Sequence, residues 1–202
     1  MRVCKKRYHT ELLRMNLAAR MVEHEARTET IRRWSGVSEQ RVRELYRASK
    51  QGRSVRHRGP APRKPALFLK ASNMRSEASA LAAVCYAMDL ITPRAARAAR
   101  RDLETVQQGE RLCRAYEMYQ RLVEHSELTL EHAALLVTTL TEGTELRLGR
   151  CIYCGNGTLF DPCGNNRRTC GDCARSGRSE PTAPSATIPQ SQGERPVQQK
   201  LF

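Results

Sequence analysis

Two closely spaced pairs of cysteines constrain the fold of this chain more than any other feature of its sequence. Cys151 and Cys154 are separated by two residues, fifteen residues follow, and Cys170 and Cys173 repeat the spacing. A tight turn at each pair directs two sulfurs to the same side, so two such pairs can surround one tetrahedral metal ion. The pattern predicts a single structural Zn²⁺ bound by these four thiolates.

The residues around the cysteines predict a zinc ribbon at 146–175. Gly155 and Gly171 are expected to let the backbone bend close to the sulfurs, and the segment between the pairs is expected to form a hairpin. A disulfide alternative would require an oxidising compartment, and the basic start of the chain lacks the apolar segment of a secretory signal. Cys163 could replace one of the four ligands, but it has no partner at short spacing and we expect it to lie outside the site.

A site closed by four thiolates is expected to be structural, because it leaves no coordination position for water. Its binding energy would fold a lobe that is too small for a hydrophobic core of its own. Cys85 and Cys113 lie on apolar helix faces, where a buried free thiol is the commoner explanation.

The chain is strongly basic, and much of its positive charge is concentrated. Its 202 residues include 35 Lys and Arg against 21 Asp and Glu, a formal net charge of +14. The segment 41–70 holds ten of the basic residues and a single acid, Glu44. Arginines also cluster at 94–101 and on both sides of the cysteines. A surplus of this kind favours a polyanion partner, because each neutralised phosphate releases condensed counterions.

Residues 28–49 follow the plan of a helix-turn-helix. The sequence predicts a short helix at 29–34, a turn centred on Gly36, and Ser38 as the N-cap of a second helix. Four apolar side chains are expected to hold the two helices together: Ile31, Val37, Val42 and Leu45. A simple αα-hairpin would share this pattern, but the basic stretch that follows favours nucleic-acid binding.

Arg and Gln are residue types that read base edges, and the start of the second helix is the part that reaches them. We therefore predict DNA contacts from this helix, from the basic loop after it and from the arginines beside the cysteines. The predicted contact residues are Gln40, Arg41, Arg43 and Arg47 in the helix, Arg53, Arg56 and Arg58 in the loop, and Arg167 and Arg168 in the ribbon.

The predicted fold class is mostly α, with a helical DNA-binding and partner-binding part followed by a small zinc ribbon and a disordered tail. Apolar periodicity predicts further helices at about 11–27, 76–91, 94–106, 112–123 and 130–141, the last stopped by Gly143. The predicted organisation is N-terminal helices with the helix-turn-helix at 1–50, a basic loop at 51–70, a helical core and partner-binding region at 71–145, the zinc ribbon at 146–175 and the tail at 176–202.

With these features together, the chain resembles the family of the flagellar transcriptional activator FlhC over roughly residues 12–173. The resemblance implies a cytoplasmic, zinc-containing protein that assembles with an FlhD-type subunit into a hetero-oligomer, binds promoters of flagellar operons and recruits RNA polymerase. It also implies that the four cysteines of the two pairs are zinc ligands. The residues that carry the resemblance are Ser35-Gly36-Val37-Ser38, Arg41-Val42-Arg43-Glu44-Leu45-Tyr46, Ala115-Tyr116-x2-Tyr119, the lead-in Leu146-x-Leu148, and the two cysteine pairs.

Other functions are less well supported by the sequence. His125 and Glu127 upstream of the first cysteine pair resemble part of a zinc deaminase pattern, but Arg150 stands where that pattern has proline, and the second pair would have no role. Nucleotide-binding and zinc-protease motifs are absent, so we expect no enzyme activity. A zinc-ribbon protein that binds RNA or the ribosome is the main alternative. No apolar run is long enough for a transmembrane helix, and we expect no membrane partner and a cytoplasmic location.

Overall fold

Helices account for most of the computed structural model, which describes residues 2–49, 61–91, 102–164 and 168–177, with the side chains of 2–6 and 102–104 excepted. The elements in chain order are α1 (Arg2–Glu23), α2 (Thr28–Ser35), α3 (Glu39–Ser49), α4 (Leu67–Lys70), α5 (Ser72–Ala87), α6 (Asp102–Leu122), α7 (Leu130–Glu142), β1 (Arg147–Arg150), β2 (Gly157–Phe160) and α8 (Gly171–Arg175).

The predicted class is confirmed: a mostly helical part precedes a small two-stranded region that contains the four-cysteine cluster. Of the basic loop predicted at 51–70, residues 51–60 lie outside the described residues, and the part from Leu67 to Lys70 is helix α4 rather than loop. The arginine-rich segment at 92–101 and residues 178–202 of the tail predicted at 176–202 also lie outside the described residues.

The turn between α2 and α3 has the geometry that the sequence predicts. Gly36 adopts a left-handed conformation with φ of 72°, which side chains other than glycine rarely adopt. Its N–H donates to the carbonyl of Arg32 at 2.9 Å. Val42 N–H donates to the carbonyl of Ser38 at 3.1 Å, so the first hydrogen bond of α3 begins at the predicted N-cap. A three-residue turn therefore joins the two helices.

The side chains predicted to hold α2 and α3 together do so. Ile31 and Val42 are completely buried and Val37 is nearly so, while Leu45 packs at the edge of the same core. α1 lies against both helices. The helix-turn-helix is thus one side of a larger helical core rather than an isolated hairpin.

Two helices end four residues earlier than their apolar patterns predict. α1 ends at residue 23 rather than 27, and α5 ends at 87 rather than 91. Beyond each end an acidic residue is left-handed, Glu25 with φ of 57° and Asp89 with φ of 52°. The next N–H then donates to a carbonyl five residues back at 3.0 Å, which closes a Schellman motif. Glycine usually marks this motif, so the sequence gives no warning of either ending. Both helices also begin earlier than predicted, α1 at Arg2 and α5 at Ser72.

The helices predicted at 94–106 and 112–123 are not separate where the structure describes them. Residues 102–106 and the later apolar stripe belong to α6, which runs unbroken to Leu122. Gly109 in the middle does not end the helix. It allows α1 to approach, since a Cβ at this position would lie 2.5 Å from Cδ2 of Leu17. The helix predicted at 130–141 is confirmed, and it ends at a left-handed Gly143 with φ of 68°.

Polar side chains attach the helix-turn-helix to α7. Glu131 on α7 is 8% exposed and accepts the N–H of Arg27 and the hydroxyl of Thr30, both at 2.7 Å. These donors lie at the N-terminus of α2, where free N–H groups and the helix dipole favour a carboxylate. Tyr46 of α3 donates its hydroxyl proton to the carbonyl of Ala26 beside them. α7 therefore fixes the start of the helix-turn-helix.

Ion pairs join α1 to α6. Arg20 donates to Glu117 at 2.8 and 2.7 Å and to Glu110 at 2.5 Å, and His24 Nε2 lies 2.9 Å from Glu117. The hydrogen bonding by Arg20 is the main reason that the pKa of the Glu117 carboxyl is lowered from 4.5 to about 2, although partial burial opposes this shift. The same interaction raises the pKa of Arg20.

Replacing Glu117 by Gln should lower the free energy of unfolding by about 1–2 kcal/mol at neutral pH, because Arg20 loses a charged acceptor. The stabilisation is present above the ordinary pKa of 4.5 and is lost as the pH falls toward 2, because the unfolded chain takes up the proton first. Urea titrations of parent and variant should therefore converge across this pH range.

The control for this substitution is Glu29→Gln, which removes the 80%-exposed partner of Arg32 and should change stability by no more than about 0.5 kcal/mol. A Glu117→Gln deficit that stays constant down to the acid limit would contradict the role given to this ion pair.

Candidate metal centre and basic surface

The first cysteine pair lies in the connection of a two-stranded hairpin. β1 and β2 run antiparallel. Within the connection, Cys151 N–H donates to the carbonyl of Asn156 at 2.7 Å, and Gly155 N–H donates to the carbonyl of Cys151 at 3.0 Å. Gly155 is left-handed, with φ of 76°. The prediction that this glycine bends the backbone near the sulfurs is therefore confirmed.

The position of the hairpin differs from the prediction. The paired strands flank the first cysteine pair, whereas the sequence predicted a hairpin between the two pairs. The physical reason is that Leu148 and Leu159 face each other across the strands and both pack on the helical core. Gly149 allows the Phe160 ring to lie across β1, because a Cβ there would be 2.7 Å from Cε1 of that ring. Residues 165–167 lie outside the described part of the chain.

The second cysteine pair begins a short helix. Cys170 is the N-cap of α8, and its Sγ accepts the N–H of Cys173 at 3.4 Å. The N–H of Cys170 in turn donates to Cys151 Sγ at 3.2 Å. Backbone N–H groups directed at sulfur favour its thiolate form. These hydrogen bonds also set the two pairs in register with each other.

The four sulfurs converge on one point. All of them lie within 4.8 Å of one another, and Cys154 Sγ is 3.6 Å from Cys170 Sγ. Cys154 is exposed and the other three are buried. Four thiolates without an oxygen or nitrogen donor suit a thiophilic metal ion such as zinc in a tetrahedral structural site. Cys163 is exposed and its sulfur is not part of this group, as predicted.

The thiols of the group differ in acidity. Burial opposes ionisation of Cys151, but N–H donors from Cys170 and neighbouring residues outweigh it and lower the pKa of Cys151 to about 6. Burial and the surrounding sulfurs raise the pKa of Cys173 to about 12. Four thiolates at this spacing would repel one another, and a cation bound among them would offset that repulsion. A metal ion deprotonates the thiols that bind it.

The four-cysteine lobe, which we define as residues 146–177, packs directly on α5. A Cβ at Gly171 would lie 2.2 Å from the carbonyl oxygen of Ser72 and 2.3 Å from Oγ of Ser76. Gly171 therefore allows α8 to contact α5, and the prediction that it bends the backbone near the sulfurs is wrong. From β2, the N–H of Leu159 donates to Ser79 Oγ at 3.0 Å.

Arg75 was not identified from the sequence, although it links α5 to the second cysteine pair. Its guanidinium donates to the carbonyl of Thr169 at 3.1 Å and to the carbonyl of Leu69 at 2.8 Å. Thr169 immediately precedes Cys170. Nothing in the local sequence distinguishes Arg75 from the many surface arginines. The same is true of Glu131, whose hydrogen-bond donors, Arg27 and Thr30, are about a hundred residues away in the chain.

The predicted DNA-contacting side chains of the second helix lie on the solvent side of α3. Arg41 forms an ion pair with Glu11 of α1, and Arg43 forms one with Glu39 at 2.6 Å. Exposed pairs of this kind contribute little stability, so the arginines can exchange these partners for another anion. Four of the predicted contact residues are exposed on this helix: Gln40, Arg41, Arg43 and Arg47.

The remaining predicted contact residues lie mostly outside the described ranges. This applies to Arg53, Arg56, Arg58 and Arg167. Arg168 is described and exposed, and its guanidinium carbon lies 5.5 Å from the centre of the Phe160 ring. This cation–π contact holds the Arg168 side chain against β2.

The buried cysteines of the helices and the deaminase-like residues lie outside the four-sulfur group. Cys85 and Cys113 are buried, as predicted, and burial raises the pKa of each thiol to about 12. His125 and Glu127 are exposed between α6 and α7. Among the described residues, neither belongs to the group of potential metal ligands.

Comparisons with known proteins add no family assignment. No family model matches the chain, and no curated protein matches it at a significant level. These comparisons therefore do not test the expected resemblance to the FlhC family. Within the described ranges, no helix is both long enough and apolar enough to cross a membrane.

Replacing Gly171 by Ala should destabilise the protein by about 1–3 kcal/mol, because the added methyl group must displace α8 from α5. Thermal unfolding measured by circular dichroism would show this as a lower midpoint. Gly157→Ala is the matched control, since a Cβ at that position meets no atom within 4 Å. Equal midpoints for the two variants would contradict the close packing of α8 on α5.

Replacing Cys151 or Cys170 by Ala should remove the bound metal and unfold the lobe, because metal-binding energy is folding energy in a lobe of this size. Elemental analysis by mass spectrometry should find about one zinc per parent chain and far less in either variant. Cys163→Ala should keep the parent content. Unchanged zinc in both ligand variants would exclude the four-cysteine assignment.

Proposed function

We propose that this chain is a DNA-binding transcriptional activator of the FlhC type, which acts with an FlhD-type subunit in a hetero-oligomer on promoters of flagellar operons. The single observation that carries the proposal is the solvent side of α3, where one glutamine and three arginines are exposed beside two glutamates. This side is presented by a helix-turn-helix that buried contacts hold in place. In this proposal the complex recruits RNA polymerase, works in the cytoplasm and has no catalytic activity.

The setting of α3 supports its proposed role as a recognition helix. Val42 anchors its inner side in the core, and Glu131 fixes the helix before it. A rigid helix loses little conformational freedom on binding. Its outer side carries no large exposed apolar residue, which suits a contact with the polar surface of a DNA groove. Residues at the start of such a helix reach base edges.

The charge around α3 supports phosphate binding. Arg41 and Arg43 are paired with exposed carboxylates, and a phosphate could replace either carboxylate at little electrostatic cost. The segment 50–60 follows α3 directly and contains four basic residues and no acid. A continuous basic stretch of this kind suits the sugar–phosphate backbone beside the groove that α3 would enter.

The metal of the proposed activator is one structural Zn²⁺. Four convergent sulfurs fill a tetrahedral shell, and N–H groups of Cys170 and Cys173 already point at two of them. The ion would neutralise much of their charge and hold the lobe folded against α5. It has no proposed role in chemistry.

An RNA-binding zinc-ribbon protein remains the second candidate, and one observation favours it. The guanidinium carbon of the exposed Arg168 lies 5.5 Å from the centre of the half-buried Phe160 ring. Arginine and aromatic side chains together can stack an unpaired base. Duplex DNA is preferred because Gln40, Arg41 and Arg43 are exposed at the start of the second helix of a helix-turn-helix, the part that reaches base edges.

Replacing Arg41 or Arg43 by Ala should weaken binding to flagellar promoter DNA, measured by fluorescence anisotropy at several salt concentrations with the partner subunit present. Loss of a phosphate contact should weaken binding to all duplexes and reduce the salt slope by about one unit. Loss of a base contact should cost about 1–3 kcal/mol at its own base pair.

Arg7→Ala removes one exposed positive charge from α1, which carries none of the predicted DNA contacts. This variant serves as the matched control and should bind like the parent. Parent-like affinity in both α3 variants would reject α3 as the recognition helix. Preferential binding to a hairpin RNA, lost on Arg168→Ala, would select the second candidate instead.

A further inference from the structure

The outer side of α6 exposes large apolar side chains among arginines. Met118 is 46% exposed and Leu122 is 67% exposed, one helical turn apart. Arginines flank them at positions that share the same side of the helix. We define the α6 face as the exposed residues Gln107, Arg111, Arg114, Met118, Arg121 and Leu122.

The acids of α6 do not neutralise this face. From residue 105 onward the helix has two acidic residues, Glu110 and Glu117. Both carboxylates form ion pairs with Arg20 of α1. Arg111 donates to the backbone carbonyl of Asp89 at 3.3 Å, a neutral acceptor that leaves the charge of the guanidinium uncompensated. Between residues 105 and 122, the α6 face thus places Met118 and Leu122 among three arginines, with no acid on the same side of the helix.

We propose that the α6 face docks a helix of a partner protein that presents aliphatic side chains flanked by Asp and Glu. Helices commonly bind a partner helix through side chains at this spacing. Methionine and arginine are enriched at protein interfaces. The proposal rests on the proposed function only for the existence of a protein partner, and DNA binding by α3 does not enter it.

The charges of three other segments argue against binding of the α6 face by another part of the same chain. The segments 50–60 and 92–101 each contain four basic residues and no acid. The segment 178–202 has three basic residues and two acids. A second copy placed across a two-fold axis would bring two α6 faces of equal charge together. Charge complementarity therefore favours a different, acidic protein as the partner.

Comparison with α3 argues against nucleic acid as the occupant. Both helices expose several arginines, but the solvent side of α3 has no large exposed apolar residue, whereas Met118 and Leu122 stand at the centre of the α6 face. Phosphates would leave these two side chains without an apolar contact. An aliphatic side chain on a partner helix would remove them from water.

The test uses two stapled helical peptides of about 18 residues, roughly five turns. Both present leucines one turn apart, flanked by Glu in the first peptide and by Lys in the second. Each is titrated into the full-length, zinc-loaded, ¹⁵N-labelled protein up to about 1 mM, and a duplex DNA is titrated separately. The Glu peptide should shift amide resonances of the α6 face in a saturable way, and the Lys peptide should not.

Variants give the matched comparison. Arg114→Glu combined with Arg121→Glu should weaken binding of the Glu peptide at least about tenfold, and Met118→Ser should weaken it without a change of charge. Arg43→Glu on α3 should leave peptide binding unchanged. All of these side chains are exposed, so the fold should be retained, and the amide spectra report on it directly.

Three outcomes overturn the proposal: equal binding of both peptides, no shift on the α6 face up to the highest concentration, or shifts of that face by duplex DNA. The DNA titration also reports on α3 in the same samples. Failure of DNA binding at α3 would count against the proposed function, whereas failure of the peptide arm would count against the α6 face alone.

Discussion

The contact between α8 and α5 is the interaction on which the rest of the arrangement depends. Gly171 brings the second cysteine pair against the backbone of Ser72, and Ser79 receives β2 on the same helix. Both segments that supply sulfurs are thus fixed to one helix, which itself packs on α6 and α7. Glu131 of α7 then holds the start of the helix-turn-helix. The metal centre and the basic surface are connected through the same helical core.

Acidic and basic side chains are distributed differently between the interior contacts and the surface of the protein. Several acids are used within the fold: Glu117 binds Arg20, Glu131 caps α2, and Glu77 accepts from Tyr119 and Ser126 at 3.1 and 2.8 Å. Most arginines of α3 and α6 remain on the surface. Basic residues that contribute to the net charge of +14 therefore form separate surfaces on α3 and α6. Their differing apolar content distinguishes a proposed nucleic-acid surface from a proposed protein surface.

Local signals predicted much of this structure, and long-range contacts account for what they missed. The cysteine spacing, the left-handed Gly36 and the apolar positions of α2 and α3 depend on nearby residues and were correctly interpreted. The ends of α1 and α5 were not, because Glu25 and Asp89 take a conformation that normally signals glycine. The role predicted for Gly171, bending the backbone near the sulfurs, is wrong, because the contact that requires glycine comes from α5, about a hundred residues earlier in the chain. The role of Gly109 within α6 also depends on a distant residue, because Leu17 of α1 packs against this glycine.

Footprinting on a flagellar promoter tests the central claim most directly. The zinc-loaded chain and its FlhD-type subunit together should protect a defined promoter segment, and a chelator that removes the metal should abolish the protection. Substitution of Arg43 should weaken it. Protection that never requires the partner subunit, or the absence of any protection with both subunits and zinc present, would contradict the account.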